Sequence, residues 1–129
     1  MRSVIVLPTG QASTTRQGLR QFEGISAESV GSRALCAHLL AIPPGGRAKA
    51  HRHAGHETAI YLLEGRAVLW FGEQLESRVD VGPGDFLYIP PDVPHRALAL
   101  PSLRAPLLSL LLAVVFAVGA QLAFNAGLI

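Results

Sequence analysis

The sequence predicts an all-β domain, an antiparallel barrel or sandwich, and three observations lead there. Between Arg33 and Leu100 apolar stretches of four to nine residues recur at short intervals. Gly and Pro fall between these stretches, where turns need them, and rarely inside them. No stretch in this part of the chain sustains the three-to-four-residue apolar spacing of a helix. Short runs with this punctuation describe strands joined by tight turns.

Taken in order, Ala34–Ile42 is the first strand and Pro43-Pro44-Gly45-Gly46 stops it. Thr58–Leu63 follows, closed by Glu64-Gly65, and then Ala67–Phe71, closed by Gly72. Arg78–Val81 leads into the turn Gly82-Pro83-Gly84-Asp85. Phe86–Ile89 ends at Pro90-Pro91-Asp92, and His95–Leu100 is the last of the series. Before them, residues 1–32 are polar and rich in Gly, Ser, Thr and Gln without a period, which predicts an irregular N-terminal arm. The barrel segment is then 33–104, and 105–129 is a separate apolar tail.

The chain has 129 residues, of which 50% are hydrophobic and 16% charged, enough apolar surface for one folded domain. That average conceals a division. All 11 Lys and Arg and all 9 Asp and Glu lie between Arg2 and Arg104, leaving Ala105–Ile129 without a charge. The cations are scattered and the formal net charge is only +2, so nucleic acid is not an expected partner. Cys36 is the sole cysteine, which rules out an intrachain disulfide and fits a reducing compartment. The apolar run Val4–Leu7 is too short for a secretory signal core, so residues 1–104 are expected in the cytoplasm.

Three of the five histidines fall in His51-Arg52-His53-Ala54-Gly55-His56-Glu57, and a fourth, His95, follows Pro94. Residues two apart on a strand share a face, so His51 and His53 can offer imidazole nitrogens to one ion. Glu57 is the nearest carboxylate that could add an oxygen, and His95 from another strand could close the site. Mixed nitrogen and oxygen ligation suits Mn, Fe, Ni, Cu or Zn without choosing among them.

Two longer stretches carry a family resemblance. Gly45 to Glu57, running on through Tyr61-Leu62-Leu63-Glu64-Gly65, resembles the first signature motif of the cupin superfamily: a Gly, five residues, HxH, three or four residues, Glu, then Gly. Gly84 to His95 resembles the second, and 18 residues separate Gly65 from Gly84. The chain is similar to small single-domain bacterial cupins over roughly residues 33–100. The resemblance implies a cupin double-stranded β-helix, an antiparallel barrel or jelly roll, with His51, His53, Glu57 and His95 as metal ligands. Counted back from Gly65, however, the family's Glu position falls on Thr58. Either the strand carries a bulge that turns Glu57 inward, or Glu57 faces away and His56, which shares a face with Thr58, is the alternative ligand. Asp92 stands where the second motif has Gly, and Asp tolerates the same turn geometry.

Weaker signals complete the picture. Arg47, Lys49 and Arg52 flank the site and read as a solvated face, with steering of an anionic substrate as the bolder reading. Tyr61, Trp70, Phe86 and Tyr88 read as core. His38 shares strand parity with Cys36, Leu40 and Ile42 and reads as an inward, hydrogen-bonded histidine.

The tail poses a different problem. Ala105–Phe124 is 20 uncharged residues, which as a helix would span about 30 Å, the thickness of a bilayer core. Apolar residues on every side predict a C-terminal hydrophobic helix, a candidate transmembrane anchor holding the barrel on the cytoplasmic face of a membrane. The tail also occupies the place of the strands that complete a cupin barrel, so the barrel reads as truncated. The change of composition after Leu98 is also what a reading-frame shift would produce. The expected function is a small metal-binding cupin acting on a small oxygen-containing substrate with oxygenase, isomerase or cyclase type chemistry. The alternative is a non-catalytic small-ligand-binding or sensor protein, and the resemblance to small cupins implies a homodimer through sheet edges. No residue is singled out as catalytic.

Overall fold

The computed structural model describes residues 3–15, 19–43, 45–101 and the backbone of 111–118. Nine strands and one short helix are found among these residues: β1 Ala12–Thr14, β2 Arg20–Ile25, α1 Ala27–Val30, β3 Leu35–Ile42, β4 Glu57–Glu64, β5 Ala67–Phe71, β6 Ser77–Val81, β7 Phe86–Ile89, β8 His95–Ala99 and β9 Leu111–Val118. They form two antiparallel sheets, one in the order β1-β2-β3-β9-β4-β7 and one in the order β6-β5-β8. This two-sheet jelly roll is the all-β fold that the punctuated strand pattern predicts. Six of the strands, β3 to β8, lie within a residue or so of the stretches read from the sequence.

The core fills the space between the sheets. Ile42 of β3, Leu62 of β4, Ala67 of β5, Val81 of β6 and Ala99 of β8 are joined there by Leu19 and Ala48. Alternation makes this possible. In β4, Thr58 and Leu62 are buried while Glu57, Ala59 and Leu63 are exposed, so one face of the strand builds the interior.

The N-terminal segment is more regular than its composition suggests. β1 and β2 extend the larger sheet beyond β3, and the register between β2 and β3 slips between Phe22 and Ile25. At this bulge a side chain on Gly24 would collide with the carbonyl of Ala37. The backbone N–H of Gly24 donates instead to Nδ1 of His38, 3.1 Å away. His38 Nδ1 is thereby an acceptor, its proton sits on Nε2, and Nε2 lies 2.7 Å from Cys36 Sγ. His38 is thus the inward, hydrogen-bonded histidine expected, and it closes the donor that the bulge opens. Burial pushes the Cys36 thiol up to about 11, so it sits here as a protonated packing residue.

Two expectations are corrected. Phe86 and Tyr88 are not core: they are 80% and 59% exposed on the outer face of β7. Nor does the described part of the tail form a helix. Leu111–Val118 is β9, paired with β3 on one side and with β4 on the other, in the middle of the larger sheet. The physical reason is that a run apolar on every side has no phase. It suits a bilayer helix and equally a strand flanked on both sides, and Val114, Val115 and Val118 favour the strand. Among the described residues no helix is long and apolar enough to cross a membrane. The rest of 105–129 lies outside the described residues.

Candidate metal centre

The histidine site is assembled by backbone pairing before any side-chain chemistry enters. His51 and His95 face each other across an antiparallel bridge and exchange both hydrogen bonds, N–H of His51 to the His95 carbonyl at 3.0 Å and the reverse at 2.9 Å. Their side chains therefore leave the same face, with ring centroids 4.3 Å apart. His53, two residues beyond His51, returns to that face and lies 4.9 Å from each of the other rings. One donor atom from each of His51, His53 and His95 falls within 4.8 Å of the others.

The turn beyond β7 holds this arrangement in place. Asp92 adopts a positive φ of 64°, as its place in the turn requires. Its N–H donates to the carbonyl of His53 at 3.0 Å, and its Oδ1 accepts from the N–H of Gly55 at 3.3 Å. The second histidine motif is thus strapped to the first through a residue that the sequence marked only as a tolerable substitution. Gly55, at φ 72°, lets the chain reverse between His53 and β4.

Each ring is turned by its second nitrogen. His51 Nδ1 lies 2.8 Å from the carbonyl of Lys49, and His95 Nδ1 lies 2.9 Å from that of Val93. A carbonyl only accepts, so both rings carry the proton on Nδ1 and leave the Nε2 lone pair available. His53 Nδ1 lies 2.6 Å from Thr58 Oγ1, while its buried Nε2 has no hydrogen-bond partner. Outer partners that fix tautomer and ring direction in this way are the usual companions of metal-bound imidazole. The site also keeps its rings neutral. Burial, reinforced by the neighbouring His95, His51 and His56 rings, pushes His53 down to about 3. His95 is lowered to about 4 by burial, with the Val93 carbonyl pulling upward and His51 adding to the fall. Burial likewise lowers His51, against the pull of the Lys49 carbonyl.

Three of the four expected ligands are therefore brought together, and Glu57 is not. β4 pairs without a slip from Glu57 to Leu62 against β9, so there is no bulge to turn Glu57 inward. It is exposed on the outer face, where Oε1 accepts from the Tyr88 hydroxyl at 2.6 Å. That bond also raises the Tyr88 phenol above its ordinary range. The inward position belongs to Thr58, which is 1% exposed and braces His53. His56 is also 1% exposed, its ring stacked on His53 at 5.1 Å and 7°, beside the three-histidine group. The count back from Gly65 had singled out Thr58; its role as a brace was legible only from the fold. Arg47, Lys49 and Arg52 are exposed, and Arg52 pairs with Glu73 at 3.4 Å.

Residues 38–107, a little over half of the chain, match the cupin domain family. The chain belongs to that family. Over 55 residues it is 34% identical to the uncharacterized protein MJ1618 of Methanocaldococcus jannaschii, a match covering 43% of this chain and 42% of that one. The matched part thus spans less than half the length of that relative. Among solved structures, this cupin superposes on a cupin 2 conserved barrel domain protein of Salinispora arenicola with a TM-score of 0.69 at 17% identity, over 97% of each chain. The polyketide cyclase RemF of Streptomyces resistomycificus gives a TM-score of 0.69 at 22% identity, over 92% of this chain and 80% of that one. A predicted oxalate decarboxylase of Thermotoga maritima gives 0.66 at 17% identity, over 87% and 93%. At these identities the likeness is one of fold.

Proposed function

We propose that this cupin binds one divalent transition metal, Mn, Fe, Ni, Cu or Zn, through Nε2 of His51, His53 and His95, and works on a small oxygen-containing molecule at the coordination positions left open. The observation that carries the reading is the disposition of the three rings. Their Nδ1 atoms are engaged by Lys49, Thr58 and Val93, one donor atom of each lies within 4.8 Å of the others, and Nε2 of His53 is buried without a hydrogen-bond partner. A buried donor set of this kind costs stability unless something occupies it. Neutral imidazole is a borderline ligand suited to late first-row ions, and three of them leave further positions free.

When bound, such an ion supplies Lewis acidity to an oxygen of the substrate. The chain's own contribution is to orient the rings. The His51–His95 bridge sets two rings at fixed separation, Asp92 locks the segment carrying His53, and Thr58 fixes that ring's direction. The related folds include proteins described as a cyclase and as a predicted decarboxylase, so one scaffold serves more than one chemistry.

Elemental analysis of the purified full chain tests the proposal. One transition metal per chain in the wild type and loss of most of it in His95→Ala is the expected result. A wild-type chain that neither carries nor takes up any of these ions overturns it.

A further inference from the structure

Two exposed features at opposite ends of the larger sheet take no part in the histidine site. The first is the segment before β1. Val4, Ile5, Val6 and Leu7 form an uncharged, strand-prone run, yet they join neither sheet, and Val4 and Val6 are 92% and 89% exposed. Gly10 ties this run to β2 by donating its N–H to the Glu23 carbonyl at 2.9 Å. The second is β7, the last strand of the sheet at the other end. Leu62 of β4 donates to the Asp85 carbonyl, so the alternation of an antiparallel pair turns the N–H and C=O of Phe86 and Tyr88 away from β4, to the open edge. Free edges are normally guarded by charge, proline or shortness. β6, an edge of the smaller sheet, carries the Arg78–Asp80 pair, and β1 is only three small residues long. β7 is Phe-Leu-Tyr-Ile, with neither charge nor proline, and its exposed Phe86 and Tyr88 share the outer face with Leu63 of β4.

We infer that Val4–Leu7 of one copy adds as a strand to the β7 edge of a second copy, and that the exchange is reciprocal, giving a two-fold dimer. This is an arm laid on an edge, not two like edges paired. A second copy is the occupant because one chain supplies both the uncharged run and the uncharged edge, each lacking a partner strand among the described residues. The area suffices: Val4–Leu7, Leu63, Phe86 and Tyr88 leave on the order of 800 Å² of apolar side chain in water, about what each side of a stable dimer buries. The geometry closes as well. Packing outer face against outer face, with the two-fold axis along the strands, sets β7 of one copy over β2 of the other, where the arm is tied. Packed sheets lie about 10 Å apart, and the chain from Gly10 back to Leu7 reaches about that far.

Sedimentation equilibrium of the full chain at micromolar concentration, joined to hydrogen exchange at the Phe86 and Tyr88 amides, tests the inference. The wild type is expected at twice the 13.7 kDa of one chain, with both amides protected. Val6→Pro puts into the arm a residue that an added strand accepts poorly, and Phe86→Lys puts a charge on the edge. Each is expected to weaken dimerisation by about thirtyfold or more, and Val6→Pro to release both amides to fast exchange. Circular dichroism checks that the variants stay folded. Val6 lies outside both sheets, so Val6→Pro decides the matter should Phe86→Lys fail to fold. A monomeric wild type overturns the inference, whether the two amides exchange freely or another segment of the same chain covers them. So does a dimer that persists undiminished in either folded variant.

Discussion

Two segments of this cupin, His51–Thr58 and Leu111–Val118, contribute to the same jelly roll, yet they announce themselves in the sequence very differently. The first is a string of polar residues whose spacing matters: His51 and His53 on one face, Arg52 on the other, a glycine where the chain reverses, Thr58 inward and Glu57 outward. The second is apolar throughout and contains no residue whose misplacement would be costly in itself. Phase is what separates them. A polar side chain has to be on a particular face, so its spacing reveals the local geometry, whereas a uniform apolar run satisfies either a helix or a strand. Its partner decides, and here two strands offer open edges to it.

The largest expected effect comes from breaking that partnership. Val115 pairs with His38 of β3 and with Ile60 of β4, so a proline there removes a ladder hydrogen bond in mid-sheet and crowds both neighbours. Val115→Pro is expected to destabilise the whole domain by about 3 kcal/mol or more, lowering its melting temperature by roughly 10 °C or more in calorimetry. Were Leu111–Val118 a separate helix, the melting of the barrel would be unchanged, and that result would remove β9 from the sheet.

The histidine segment is broken by acid. Burial holds His53 near 3 and His95 near 4, whereas in the unfolded chain an imidazole titrates near 6.5. Above that value both states are neutral and the rings contribute no pH dependence. Below it the unfolded chain takes up protons that the folded chain refuses. Stability therefore falls from about pH 6.5 downward and levels off only below the folded values. At pH 5 the loss is at most about 2 kcal/mol for each ring, read as a lower urea midpoint of the chelator-treated protein than at pH 7.5. An equal midpoint at the two values would mean that the rings are not buried as a group. Replacing His53 by Gln should abolish its share of the slope.

This contrast also explains which parts of the molecule were legible. The six strands β3 to β8 were readable because turn residues bracket each of them. The grouping of His51, His53 and His95 was readable because an HxH pair and a histidine after a proline turn have few other reasons to recur together. The N-terminal strands were not, since β1 and β2 are polar, largely exposed and held by pairing, β2 to β3 and β1 to β2. Asp92 was seen as a turn residue, but its second task, strapping the two motifs together, depends on a contact 37 residues away in sequence. Phe86 and Tyr88 were misread because aromatic residues on a strand are usually interior. On an edge strand with a solvated outer face that expectation lapses.

The smallest expected effect tests the most finely balanced reading, the choice between two adjacent residues. Regular pairing from Glu57 to Leu62 places Glu57 outside and Thr58 inside, and a shift of one residue would exchange them. Glu57→Gln removes a charge but keeps the shape and the bond from the Tyr88 hydroxyl. Metal content by elemental analysis is therefore expected to stay at the wild-type level, while Tyr88 loses the charged acceptor that raises its phenol, a fall visible in ultraviolet titration. A carboxylate ligand would show the opposite pattern: metal affinity would drop by at least an order of magnitude, as it does when even outer partners of a metal site are lost, and the Tyr88 titration would not move. A single substitution thus decides the register of β4 at the site, because one residue of slippage is the whole distance between a ligand and a surface charge.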